Sequence, residues 1–211
     1  LVTAGVEIPA PASCQETFVS SLNNKTAIVT GAGTGIGEKT AEILAAEGAS
    51  IVLVGRRLEP LMEVARRISQ AGGTAQAHSA DLTVGDQAAT VAQFALDTFG
   101  RIDVLVNNAG ISIEKRVTDF TLEDYDRLLG TNQRGAFLTA QAVGKGMIAR
   151  EQGGKIVNIA SVLASSVLTG LSLYSMSKAA VIQMTHSMAL EWARFDIQVN
   201  AISPGYIETE I

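Results

Sequence analysis

Tyr174 and Lys178 stand four residues apart in the run Leu173-Tyr174-Ser175-Met176-Ser177-Lys178, a stretch of helical character. Positions i and i+4 share a helix face, so this spacing sets an ammonium beside a phenol. A free phenol, with a pKa near ~10, transfers protons poorly at neutral pH. A neighbouring cation favours the phenolate, and a tyrosine tuned in this way can act as general acid or base on an alcohol or carbonyl oxygen.

A second group of residues suits a phosphate. Thr30-Gly31-Ala32-Gly33-Thr34-Gly35-Ile36-Gly37 follows a short apolar run. Its glycines allow a tight turn and close approach to a pyrophosphate, and the amides opening the next helix attract the charge. The spacing is Thr-Gly-x-x-x-Gly-Ile-Gly rather than G-x-G-x-x-G. The next apolar run closes at Val54-Gly55-Arg56-Arg57, with no carboxylate for a ribose 2′-hydroxyl. Arg56 is placed to pair with a 2′-phosphate, to which a guanidinium is matched in charge and geometry. NADP(H) is therefore favoured over NAD(H).

The elements that must position these groups alternate along the chain. Apolar runs predict strands at 26–30, 50–54, 74–78, 102–106, 155–159 and 198–201. Helical spacing predicts helices at 35–47, 58–71, 86–99, 122–147 and 172–195, with Gly130 and Gly135 interrupting the fourth. Continuous apolar strands between amphipathic helices imply a parallel sheet covered on both faces, with right-handed crossovers. Ligands in such sheets bind beyond the carboxyl ends of the strands, where the polar and glycine-rich loops fall here.

With 211 residues, 47% hydrophobic and 18% charged, the chain suits one domain with a sizeable core. Its net charge of −5 and the lack of a basic stripe argue against nucleic acid as a partner. No apolar run reaches the ~18 residues of a membrane helix, and a cytoplasmic location is expected. Cys14 is the only cysteine, and His78 and His186 lack ligand spacing, so no metal site is expected. Residues 1–24, with Pro9 and Pro11 opposing a helix, read as an N-terminal extension of a catalytic domain at 25–211.

Further motifs join these in a particular order: Asp81-Leu82 after the third strand, Asn107-Asn108-Ala109-Gly110 after the fourth, Asn132, Ser161 thirteen residues before Tyr174, and Pro204-Gly205. In this order the chain resembles the short-chain dehydrogenase/reductase family, from about Lys25 to Ile211. The stretches Pro204-Gly205-Tyr206-Ile207-Glu208-Thr209 and Asn158-Ile159-Ala160-Ser161 look most like 3-oxoacyl-carrier-protein reductases.

The resemblance implies an α/β fold, a doubly wound parallel sheet of Rossmann type in three layers and a single domain. It also implies roles. Ser161 would hydrogen-bond the substrate oxygen, Tyr174 would pass the proton, and Lys178 would hold the nicotinamide ribose. Asn132 would anchor a water linking Lys178 to solvent. Asp81 would contact adenine, with Leu82 beside it, and Asn108 the adenosine ribose side, with Ala109 and Gly110 beside it. Pro204, Gly205, the Ile207 backbone and the Thr209 hydroxyl would hold the nicotinamide amide.

Family members usually carry a further helical lid and a last strand, so the C-terminal part is expected to be incomplete. A dimer or tetramer formed by the helices at 122–147 and 172–195 is also expected.

The activity expected is NADP(H)-dependent reduction of a ketone or 3-oxoacyl group to a secondary alcohol. Val162, Leu163, Val167 and Leu168, following Ser161, suggest a non-polar pocket. Two alternatives stand beside it: a sugar, polyol or steroid alcohol dehydrogenase using NAD(H), or a nucleotide-binding regulatory protein without catalysis.

Overall fold

The structure is a computed structural model that describes residues 22–207. Residues 1–21, with Cys14, and Thr209 lie outside the described residues.

Six strands alternate with helices: β1 (Thr26–Thr30), α1 (Gly35–Ala46), β2 (Ser50–Gly55), α2 (Leu58–Gln70), β3 (Thr74–Ser79), α3 (Gln87–Phe99), β4 (Val104–Asn107), α4 (Leu122–Leu129), α5 (Ala136–Arg150), β5 (Gly154–Ile159), α6 (Ser172–Trp192) and β6 (Ile197–Ile202). All neighbouring strands pair in parallel, in the order β3-β2-β1-β4-β5-β6.

Alternation along each strand sends its apolar residues into two separate cores. Ile28, Val52, Leu105 and Ile156 pack with Val91 and Ala95 of α3, Val143 and Met147 of α5, and Met188 of α6. Ala27, Val29, Ile51 and Leu53 pack on the other face with Ala41 of α1 and Leu61, Val64 and Ile68 of α2. The sheet is thus wound on both sides, as the apolar runs predicted. Leu22 packs on the second core, and its N–H donates to the Glu47 carbonyl at 3.1 Å.

The strand order reverses direction between β1 and β4. The loops leaving those two neighbours diverge there and open a crevice. At the opposite end of the sheet, Asp103 just before β4 accepts two bonds from Arg101 at 2.7 Å, one from Arg150 at 3.0 Å and one from the Thr26 N–H at 2.9 Å. Burial pushes its pKa up, but these donors outweigh burial and hold the carboxyl below the usual range. This cluster ties β1, β4 and α5 together away from the crevice.

Among the differences from the sequence reading, two bear on the packing around the site. The β4 ladder begins at Val104 rather than at 102: Ile102 fills the core, and Asp103 gives its side chain to the arginines while its N–H donates to the Thr26 carbonyl at 2.9 Å. The helix expected at 122–147 is not broken at its glycines. It widens into one π-helical turn, Gly130–Gly135, and continues as α5 with αR backbone at both joints. A Cβ on Gly135 would sit 3.2 Å from the Leu82 side chain and carbonyl, so that glycine permits close packing rather than a break.

Candidate active site

The loop after β1 turns at Gly31, whose φ of +65° favours glycine. A Cβ there would lie 2.9 Å from the Asn108 amide nitrogen and 3.0 Å from the Ala109 Cα, so the β1 and β4 loops touch. A Cβ on Gly37 would overlap both the Gly31 carbonyl and the Asn108 amide. Asn108 fastens this contact. Its Nδ2 donates to the carbonyls of Thr30 at 3.0 Å and Gly31 at 3.3 Å, while Thr30 Oγ1 accepts the Asn108 and Ala109 N–H groups at 2.9 Å each. Thr34, in extended backbone at the N-cap of α1, makes no capping bond with its side chain, so no hydroxyl covers the first amides of the helix.

Two clefts open along this crevice. One, of about 360 Å³, is lined by Gly31, Thr34, Ile36, Asn108, Ala109, Gly110, Ile111, Ser112, Ile159, Ala160, Ser161, Tyr174, Lys178, Pro204, Gly205 and Ile207. The other, of about 290 Å³, includes Gly31, Gly33, Thr34, Gly55, Arg56, Arg57, Pro60, Asp81, Leu82, Thr83, Ala109, Gly110 and Ile111 in its wall. Gly31, Thr34, Ala109, Gly110 and Ile111 belong to both, so the clefts form one trough across the switch point.

Most residues singled out from the sequence therefore meet in the trough. Gly35, Gly37 and Asn132 stand behind its walls. Gly35 opens α1, and Asn132, 1% exposed, lies inside the π turn.

At one end of the trough, Arg56 is exposed and in no salt bridge among the described residues; its carbonyl accepts a bond from Ser79 Oγ at 3.0 Å. Asp81 Oδ1 accepts from the Thr83 hydroxyl at 2.7 Å and the Thr83 N–H at 2.9 Å. Those two bonds, with the nearby charge of Arg56, lower the Asp81 pKa.

At the other end, Ser161 Oγ accepts the Leu163 N–H at 3.2 Å, which leaves its hydroxyl proton free to donate into the cleft. Lys178 Nζ lies 5.7 Å from the centroid of the Tyr174 ring and donates to the Ile159 carbonyl at 2.7 Å. The lysine is 5% exposed, and burial lowers its pKa from 10.5 to about 8. An ammonium has three protons to give, so two remain beyond the Ile159 bond.

Asn132 Oδ1 accepts the Ile111 N–H at 2.8 Å, and its Nδ2 donates to the Ile111 carbonyl at 2.9 Å and to Ser177 Oγ at 3.0 Å. Both Nδ2 protons are thus spent on protein partners, while Oδ1 keeps a second lone pair. The sequence reading missed Ile111, Ser112, Pro60 and Ser177, and gave no role to Gly55 and Thr83. All but Ser177 flank residues already singled out at strand ends, and widening each motif by a few residues finds most of them.

The pattern fits a dinucleotide: glycines that let the β1 loop turn tightly against the β4 loop, an uncapped helix start, and a trough running from an arginine to a tyrosine–lysine pair. The short-chain dehydrogenase family model matches residues 25–211. The chain belongs to that family and is an oxidoreductase.

An uncharacterized oxidoreductase of Staphylococcus aureus (strain USA300) is 36% identical over 190 residues, covering 90% of this chain and 81% of the relative. A short-chain type dehydrogenase/reductase from Mycobacterium marinum superposes with a TM-score of 0.88 at 39% identity, over 91% of this chain and 76% of that one. A Beutenbergia cavernae protein assigned as an NAD(P)-dependent gluconate 5-dehydrogenase, solved with NADP bound at low occupancy, gives a TM-score of 0.86 at 39% identity, again over 91% and 76%. Among the described residues no helix is long and apolar enough to cross a membrane.

Proposed function

We propose that this chain reduces a ketone, such as the keto group of a 3-oxoacyl substrate, to a secondary alcohol with NADP(H), reversibly. The observation that carries the reading is the single trough with Arg56 at one end and Ser161, Tyr174 and Lys178 at the other. The glycine loop after β1 and the first amides of α1 would take the pyrophosphate, Arg56 the 2′-phosphate, and Asp81 the adenine. The two protons that Lys178 has left would bond ribose hydroxyls, and Pro204, Gly205 and Ile207 would bound the nicotinamide. The nicotinamide supplies the hydride when bound.

The chain's own residues handle the oxygen. Ser161 donates to the carbonyl oxygen as negative charge develops there. Tyr174 passes its hydroxyl proton to that oxygen, completing the alcohol, and the phenolate left behind sits beside the Lys178 ammonium. The Beutenbergia relative raises a polyol or sugar acid as a second substrate class. The cleft around Tyr174 favours an uncharged ketone: among the described residues its wall holds no cation besides Lys178 to pair with a carboxylate or phosphate, and Ile111, Ile159 and Ile207 line it.

Arg56→Asp tests the cofactor assignment. It is expected to raise the NADPH dissociation constant by about 10-fold or more, since charge-assisted bonds are worth ~1.5–3 kcal/mol, and to leave NADH within about twofold. Equal weakening of both in a fluorescence titration would remove the phosphate role.

We also propose self-association through α4, α5 and α6. Tyr125, Leu129, Phe137, Ala180 and Met184 line one groove there, and Tyr125 and Phe137 are 42% and 44% exposed. Light scattering should show a dimer or larger species at micromolar concentration; a stable monomer would contradict this.

A further inference from the structure

Ser177 sits between the two residues of the helix pair, one position before Lys178, and it faces away from the trough. Its hydroxyl is fully buried. It donates to the Tyr174 carbonyl at 2.7 Å and accepts from Asn132 Nδ2 at 3.0 Å. Asn132 in turn holds the Ile111 N–H and carbonyl, and Ile111 lines the trough. A continuous series of hydrogen bonds, with the Asn132–Ser177 bond buried at its centre, therefore runs from the β4 loop, through the π turn, to the backbone of Tyr174.

The rest of the buried face of α6 is mixed, with Leu173, Val181 and Met188 beside Ser175, Lys178 and Thr185. A serine there has lower helix propensity than alanine and buries a hydroxyl, which is unfavourable unless its bonds are made. Both are made here, and they join the two walls between which a substrate would lie.

We infer that Ser177 is a positioning residue, setting the placement of Tyr174 and Lys178 relative to the Ile111 wall through Asn132. It touches neither cofactor nor substrate, and the inference rests on Tyr174 being the proton donor. Orientation is steeply felt in catalysis: a misplacement of about 1 Å can reduce rate about 10²-fold. With the Asn132 bond gone, α6 keeps its apolar packing but loses the polar link that fixes it against the π turn.

The test compares Ser177→Ala, Asn132→Ala and the double variant by steady-state kinetics, NADPH titration and thermal melting. Ser177→Ala is expected to lower kcat about 10- to 100-fold with KM and the NADPH dissociation constant near wild type. The double variant is expected to lose less than the product of the two single losses, because both changes break the same link. Ser177→Cys, close to serine in size but a weak hydrogen-bond former, is expected to follow Ala, and it takes over the test if the Ala variant does not fold.

Wild-type kcat in a folded variant, or losses that multiply independently, would overturn the positioning role. Failure of both Ala and Cys variants to fold would overturn it too, by making the serine a stability residue. Tyr174→Phe is run in parallel. Retained turnover there would overturn the proton-donor reading and this inference with it, whereas an unaffected Ser177→Ala sinks the inference alone.

Discussion

Replacing Tyr174 by Phe is expected to lower carbonyl reduction by about 10²–10⁴-fold, the usual contribution of a positioned general acid. The residue is only partly buried, and phenylalanine fills the same space, so the fold should be untouched. NADPH should still bind, since Arg56, the glycine loop and Lys178 are unchanged. The expected result is a folded protein that titrates with NADPH and does not consume it when a ketone is added. Retained turnover would show that the proton reaches the oxygen by another route, through Ser161 or water, and would demote Tyr174 to a wall of the cleft.

The second large effect concerns Lys178, where stability and function pull apart. Burial holds its pKa at about 8 against an ordinary 10.5. Between those values the unfolded chain keeps a proton that the folded chain has lost, so stability rises with pH across that window. Below pH 8 both states are protonated, and the folded protein bears the full penalty of a buried ammonium, about 3 kcal/mol from the shift.

Lys178→Met removes the charge but leaves the Ile159 carbonyl without its side-chain donor, a loss of about 1 kcal/mol. The ligand-free variant should therefore be more stable by about 2 kcal/mol at pH 7, with Tm higher by about 4–8 °C. The gain should fade as pH rises from about 8 towards 10.5, because the folded wild-type lysine has shed its proton there and no longer bears the penalty. Turnover should fall by at least about 10²-fold, because both the ribose donor and the charge beside Tyr174 are gone. A less stable Lys178→Met at pH 7 would mean that the buried ammonium is better solvated than its surroundings suggest. Stability given up at a working site in this way is a common trade-off.

Much of this arrangement could be read from residue types, for definable physical reasons. Strands covered on both faces are largely apolar, so β1 and β2 stand out as runs, and their ends mark where the ligand loops leave the sheet. The same reasoning failed at β4, because Ile102 is apolar for the core rather than for the ladder and Asp103 is buried against arginines.

Gly130 and Gly135 signalled an interruption, but a π turn changes only which carbonyl each amide meets, and that leaves little trace in composition. Asn108 was assigned to the ribose side by resemblance; its amide nitrogen also joins the β1 and β4 loops, and the residue lines the cleft. Ser177 had no legible signal, since a lone serine in a helix looks like any surface serine until its neighbours are known. The Ile159 carbonyl had none either, because a backbone acceptor is independent of the side chain.

The central claim is that one trough brings NADPH and a ketone together. Fluorescence titration with NADPH and NADH, followed by cofactor oxidation against a panel of simple ketones, 3-oxoacyl thioesters and keto sugar acids, tests it most directly. The account predicts tighter binding of NADPH than of NADH, and NADPH consumption only when an uncharged ketone or oxoacyl substrate is present. Binding of neither nucleotide, or consumption of NADH alone with a keto sugar acid, would contradict it.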